Sequence, residues 1–259
     1  MTDDLVTVER SEAVAILTLS APDQRNALTA AAGDELRAAL ERLGETATRA
    51  VVLRGEGEVF CAGGDLQAHA ARARGELDEA AYGDRLDRVA DAVAAVASFP
   101  LPTVAAVDGT AFSEGACLAL ACDIRLGSTE ATMGFGFGRL GHSPLAGATA
   151  LLPRVVAPDV AAELLYTGRM VDAREADELG LLTRVVPAEG FDDELASLLA
   201  TLSTAPSAAL QVTKRLLGRE RGNVAAATAA ERRAAIGLSE TAAFEEGVTA
   251  ALDGREPDF

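Results

Sequence analysis

An α/β fold, closed at its C-terminal end by a helical appendage, is what this sequence predicts, and three observations carry it. Two apolar runs of strand character lead through glycines into helices. Residues 101–107, with Thr103, Val104 and Val107, pass Gly109, Ser113 and Gly115 into the small, apolar, unbroken stretch 116–121. Residues 51–53 pass Gly55, Gly57, Gly63 and Gly64 to Asp65, which can cap the helix that follows. Beyond Pro187 the pattern changes to Ala-rich helical segments over 191–202, 207–217, 224–237 and 240–252. The expected division is a core over 1–190 and a helical region over 191–259.

The remaining elements follow in order. Residues 6–9 and 13–19 alternate or run apolar, as two strands joined by a polar turn. Residues 21–26 form a loop, and Thr29 caps a helix to about residue 43. The stretch 67–83 is rich in Ala, Arg and Glu, contains two glycines and reads as a mobile helical segment; its His69 reads as a surface residue. Residues 84–98 place Leu86, Val89, Val93 and Val96 on one helical face. Strands are expected over 122–126, 131–135 and 182–186, and helices over 154–167 and 173–179, the latter ended by Gly180. Gly136-Phe137-Gly138-Arg139-Leu140-Gly141 is formally G-x-G-x-x-G. Pro144 follows within three residues and no βαβ pattern surrounds it, so no dinucleotide site is read there.

Composition narrows the function. The chain has 259 residues, 49% of them hydrophobic, enough for a sizeable core. There is no run of 18 apolar residues to cross a membrane, and Met1-Thr2-Asp3-Asp4 is no secretory signal, so a cytoplasmic location is expected. Cys61, Cys117 and Cys122 are an odd count without zinc spacing, which implies neither a disulfide framework nor a metal. A net charge of −17 argues against nucleic acid and against anionic membranes as partners. Lys214 is the only lysine in this acidic chain, a composition expected of a surface adapted to high salt.

Each strand–glycine–helix turn leaves backbone N–H groups unpaired at the positive end of a helix, and two such turns can give one N–H each to the same developing oxyanion. At this point the chain resembles the crotonase, or enoyl-CoA hydratase/isomerase, superfamily. The resemblance runs through Arg25-Asn26-Ala27-Leu28, Phe60-Cys61-Ala62-Gly63-Gly64-Asp65-Leu66, the 109–125 stretch with its Ala-Cys-Asp-Ile-Arg ending, residues 140–154, and Phe244-Glu245-Glu246-Gly247. It implies a spiral of strand–strand–helix turns, an acyl-CoA thioester as ligand, no cofactor beyond its coenzyme A moiety, and a homotrimer or dimer of trimers closed by the helical region. It also implies that Gly64 and Glu114 donate the oxyanion-hole N–H groups. Arg25, Ala27, Ala62, Gly64, Asp65, Leu66 and Arg255 are expected to meet the CoA ester.

The chain departs from that pattern where the chemistry lies. The two glutamates of family hydratases match Cys117 and Phe137 here, and the residue after Leu140-Gly141-His142-Ser143-Pro144, an acid/base site in some family isomerases, is Leu145. Glu114 stands where glycine is usual. Glu114, Cys117 and His142 remain as candidate proton carriers or nucleophiles. Glu114 is expected to turn outward and stabilise the helix dipole; turned inward, it would have a raised pKa and act as a base. Enolate chemistry with double-bond isomerisation is therefore favoured over hydration, and a non-catalytic acyl-CoA-binding or assembly subunit is the alternative.

Overall fold

The structure is a computed structural model and describes residues 4–11, 13–218 and 224–258. Strand β1 (Val6–Ser11) and strand β2 (Val14–Leu19) form an antiparallel hairpin, with Val6 opposite Leu19. Helix α1 (Ala30–Gly44) follows, its N-terminus capped by the Thr29 side chain, which accepts from the Ala32 N–H at 3.1 Å. Then the strands alternate between two sheets: β3 (Ala50–Gly55), β5 (Thr103–Val107) and β7 (Ile124–Ser128) enter the first, while β4 (Val59–Cys61), β6 (Thr110–Phe112) and β8 (Thr132–Gly134) enter the second. Helices α2 (Leu66–Ala73) and α3 (Glu79–Ser98) follow β4, and α4 (Glu114–Ala121) follows β6. This is the strand–strand–helix spiral.

The later chain completes both sheets. After α5 (Ala148–Leu151) and α6 (Pro158–Thr167), β9 (Met170–Asp172) adds to the second sheet, giving the order β4-β6-β8-β9. After α7 (Ala173–Glu178), β10 (Arg184–Val186) adds to the first, giving β1-β2-β3-β5-β7-β10. The inner strands β3 and β5 of the first sheet are buried on both faces, which is why they read as apolar runs. Val51 and Leu53 point into the main core, while Val52, Val104, Ala106 and Leu126 point to the other face, where Phe191 and Leu195 of α8 (Phe191–Thr204) cover them.

The helices over 66–98 differ from expectation. Helix α3 starts five residues before 84, at Glu79, because the Asp78 side chain caps it by accepting from the Ala81 N–H at 2.8 Å. Gly83 is no breaker: its missing side chain lets α10 (Val224–Leu238) lay Arg232 and Ile236 against α3. The segment expected to be mobile is thus α2, a turn and the first part of α3, and His69 within it is buried, not a surface residue. The short strands β6 and β9 replace what the sequence presents as turn and loop.

Lys214, the only lysine, lies on α9 (Ser207–Gly218) and ties the helical region to the core. Its Nζ lies 2.6 Å from Asp123 Oδ2 and donates to the Leu101 carbonyl at 2.8 Å. Asp123 also accepts from the Thr103 N–H and hydroxyl at 2.9 and 3.0 Å. Both charged side chains are largely buried, at 10% and 16% exposure. Lys214→Met removes the cation 2.6 Å from a largely buried carboxylate, so urea denaturation is expected to read a loss of about 3 kcal/mol. A loss within about 0.5 kcal/mol, usual for a surface substitution, would contradict that account.

Candidate active site

Strands β4 and β6 are parallel neighbours, with Val59 opposite Thr110 and Cys61 opposite Ala111. The turns leaving their C-terminal ends therefore lie side by side, the usual position for a ligand in a parallel sheet. The first turn carries Ala62, Gly63, Gly64 and Asp65 into α2, whose N-terminus Asp65 caps by accepting from Gln67 and Ala68 N–H groups at 3.0 and 3.1 Å. The second passes Ser113, at φ 48, into α4. A positive φ is unusual for serine and marks a tightly held turn.

Glu114, the first residue of α4, turns inward, contrary to the outward orientation expected from the sequence. It is 4% exposed, and its Oε2 accepts a hydrogen bond from the Gly64 N–H at 2.8 Å. The room for it comes from Gly64, where an added Cβ would meet Glu114 Oε1 at 2.7 Å. Burial raises the Glu114 pKa, opposed by its own backbone N–H and that of Gly64. The N–H groups of the two turns thus converge on one carboxylate of the chain itself.

The loop 25–28 packs beside the first turn: the Ala62 N–H donates to the Arg25 carbonyl at 3.0 Å, and the Leu28 N–H to Gly63 at 2.8 Å. Arg25, Ala27, Ala62, Gly64, Asp65 and Leu66 are therefore brought together. Arg25 is exposed. Asn26, buried between them, accepts from the Ala21 N–H and donates to the Glu56 and Val59 carbonyls, fixing the loop. Arg255 follows α11 (Ala242–Asp253) and pairs with Glu246 at 2.6 Å within the same chain.

Cys117 and His142 occupy different settings. Cys117 is fully buried, its thiol 3.7 Å from the Leu145 carbonyl, and burial with the nearby Glu231 and Glu114 charges pushes its pKa well up. A thiol held protonated in this way is a core residue in chemical behaviour and a poor nucleophile. Phe137 is buried in the same core. His142 is buried too, and it belongs to a hydrogen-bonded chain that sequence reasoning did not find. Its Nδ1 lies 2.9 Å from the Ser143 carbonyl, its Nε2 lies 2.9 Å from the Tyr82 hydroxyl, and that hydroxyl lies 2.8 Å from His69 Nδ1. Phe244 of α11 packs against all three rings. Burial lowers the pKa of both histidines, His69 to about 3, with the neighbouring His142 adding to the effect.

Glu114, Gly64, His69 and Tyr82 line one inner cavity of about 20 Å³, room for a water molecule, walled by Leu86, Val89 and Leu145. A cleft of about 380 Å³ adjoins it through the shared Ala30, Asp65 and Arg85 and carries Arg88 at its wall. No group of His, Cys, Asp or Glu that could hold a metal occurs among the described residues.

The two-sheet spiral with paired strand–glycine–helix turns is the architecture of the crotonase superfamily. The family model for enoyl-CoA hydratase/isomerase matches residues 9–259, and the chain belongs to that family. A Rhodobacter capsulatus relative named "Probable enoyl-CoA hydratase" is 38% identical over 97% of this chain and 96% of its own length. Among solved structures, an enoyl-CoA hydratase from Mycobacterium avium subsp. paratuberculosis superposes with a TM-score of 0.89 at 28% identity, covering 98% of both chains. One from Bacillus halodurans superposes with the same TM-score at 25% identity, covering 95% of this chain and 99% of that one.

Proposed function

We propose that this acyl-CoA-processing enzyme polarises a thioester carbonyl between the Gly64 and Glu114 N–H groups and uses the Glu114 carboxylate to move a proton on the resulting enolate. One observation carries the reading: the Gly64 N–H already holds an anionic oxygen, Glu114 Oε2, at 2.8 Å. A thioester oxygen entering that position displaces the carboxylate. Freed from the two N–H groups, it stands next to the position the thioester oxygen takes and can accept the proton from the α-carbon. The C–H electron pair then passes into the enolate, whose oxygen the two N–H groups stabilise. Return of a proton further along the chain moves the double bond.

Double-bond isomerisation is favoured over hydration because Cys117 and Phe137 cannot act as a pair of carboxylates. The ligand's coenzyme A moiety extends past Arg25, Ala27, Ala62, Asp65 and Leu66, and Arg255 is free to serve it only by releasing Glu246. A homotrimer or dimer of trimers belongs to this reading, supported by the exposed Val212, Leu216 and Leu217 on α9. A non-catalytic acyl-CoA-binding or assembly subunit is the second reading, favoured by the carboxylate that fills the anion position in the free protein.

NMR of 2-enoyl- and 3-enoyl-CoA thioesters with the protein, in D₂O at high salt, separates these. Double-bond migration with α-proton exchange and no hydration is expected. Hydration would overturn the isomerase preference, and binding of every thioester without exchange would favour the non-catalytic subunit.

A further inference from the structure

The His142–Tyr82–His69 chain has one consistent arrangement of protons. The Ser143 carbonyl only accepts, so His142 Nδ1 carries a proton, and in the neutral ring Nε2 is then an acceptor. The Tyr82 hydroxyl must donate its single proton to that nitrogen. His69 Nδ1 must therefore donate to the Tyr82 oxygen, which leaves His69 Nε2 with a bare lone pair. No hydrogen bond to Nε2 occurs among the described residues, yet Nε2 is not a sealed, unsatisfied atom. His69 itself is 6% exposed and lines the cavity that Glu114 and Gly64 also line. A buried imidazole with its tautomer fixed from behind and its Nε2 unbonded, on a side chain that lines the cavity, is the arrangement of a proton acceptor.

We propose that His69 is a second catalytic residue, exchanging a proton at Nε2 with the acyl carbon beyond the double bond, while Tyr82 and His142 act as positioning residues that fix its tautomer and share its charge. This rests on the enolate reading of the same site. From a 2-enoyl thioester, the γ C–H bond breaks and its proton goes to Nε2. The electron pair runs through the double bond onto the thioester oxygen, held by the Gly64 and Glu114 N–H groups. The proton on Nε2 then passes through water in the cavity both groups line to the Glu114 carboxylate, which gives it to the α-carbon, and the double bond stands one position further from the thioester. The cycle is then closed, with His69 neutral and Glu114 a carboxylate as at the start. The reverse reaction runs through the same steps backwards. As Nε2 gains its proton, the Nδ1 proton can pass to the Tyr82 oxygen and the Tyr82 proton to His142 Nε2. The positive charge then rests on His142, whose Nδ1–H remains bonded to the Ser143 carbonyl.

The experiment follows deuterium incorporation from D₂O at the α- and γ-carbons of short 2-enoyl- and 3-enoyl-CoA thioesters by NMR, with the dissociation constant of a saturated acyl-CoA as a check on binding. In His69→Gln the ratio of γ to α exchange is expected to fall by about 100-fold or more, in step with migration and with that dissociation constant preserved. In Tyr82→Phe the acid limb of the pH–rate profile for γ exchange is expected to move, which lost packing alone does not cause. The Tyr82 variant also carries the test if His69→Gln does not fold. The proposal is overturned if His69→Gln keeps the γ-to-α ratio of the unaltered protein, and the relay is overturned if Tyr82→Phe leaves the pH profile in place. Absence of exchange at both carbons in the unaltered protein removes the enolate reading itself, a result distinct from loss at the γ-carbon alone.

Discussion

Glu114→Gly is expected to tighten binding of an unreactive acyl-CoA thioester about tenfold or more while removing turnover. In the free protein the carboxylate holds the Gly64 N–H at 2.8 Å, and a bound carbonyl oxygen has to break that bond. A hydrogen bond to a charged group contributes about 1.5–3 kcal/mol, and each 1.4 kcal/mol is about tenfold in affinity. Deleting the carboxylate opens the position without touching either N–H donor. Glu114→Gln separates occupancy from chemistry. Its amide oxygen can still accept from Gly64, but the group cannot carry a proton, so turnover is expected to fall by about 100- to 10,000-fold with binding little changed. Isothermal titration and initial rates read the two effects. If Glu114→Gly were faster than the unaltered protein, the carboxylate would be an obstruction in the anion position and not a reagent.

The fold was legible because its main strands and turns are marked locally. The β-propensity of 51–53 and 103–107, the glycines after each, and the N-cap residues Thr29 and Asp65 act within a few residues of the structure they specify. The three-residue strands β6 and β9 were not legible, since such short segments have no readable period. Pairing of β4 with β6 is likewise invisible along the chain, and it is what brings Gly64 to Glu114 across 50 positions. An acidic residue opening a helix usually faces solvent and the dipole; only the space left by a glycine on another turn draws Glu114 inward. The His69–Tyr82–His142 chain had no local signal at all. Its members lie on separate elements, 13 and 60 positions apart, and each alone looks like an ordinary helix or loop residue. Tyr82 in particular sits beside Gly83, in a segment that reads as mobile, where the glycine makes room for α10.

The same chain makes stability fall with acid. The folded protein holds His69 neutral, with its pKa drawn from 6.5 to about 3, chiefly by burial. Once unfolded, the ring protonates near 6.5, so below that pH the unfolded state binds the additional proton and gains on the folded one. The His69 contribution is complete above pH 6.5 and declines by about 1.4 kcal/mol per unit down to the folded-state value. Between pH 6.5 and 4.5 the loss is about 2.7 kcal/mol. His142, also lowered by burial, adds in the same direction. Glu114 opposes it: its raised carboxyl protonates first in the folded state, so falling pH through that range favours the fold. Tyr82 stays protonated throughout, since burial raises its pKa, and Phe244 has no proton to exchange. Comparing urea denaturation of the unaltered protein with that of His69→Gln isolates the His69 part, because the Glu114 contribution is common to both. The stability difference between the two is expected to shift by about 2–3 kcal/mol in favour of the glutamine variant on going from pH 7.5 to 4.5. Parallel curves over that interval would mean that His69 protonates in the folded protein as freely as in the unfolded chain, and a neutral, buried relay would not exist.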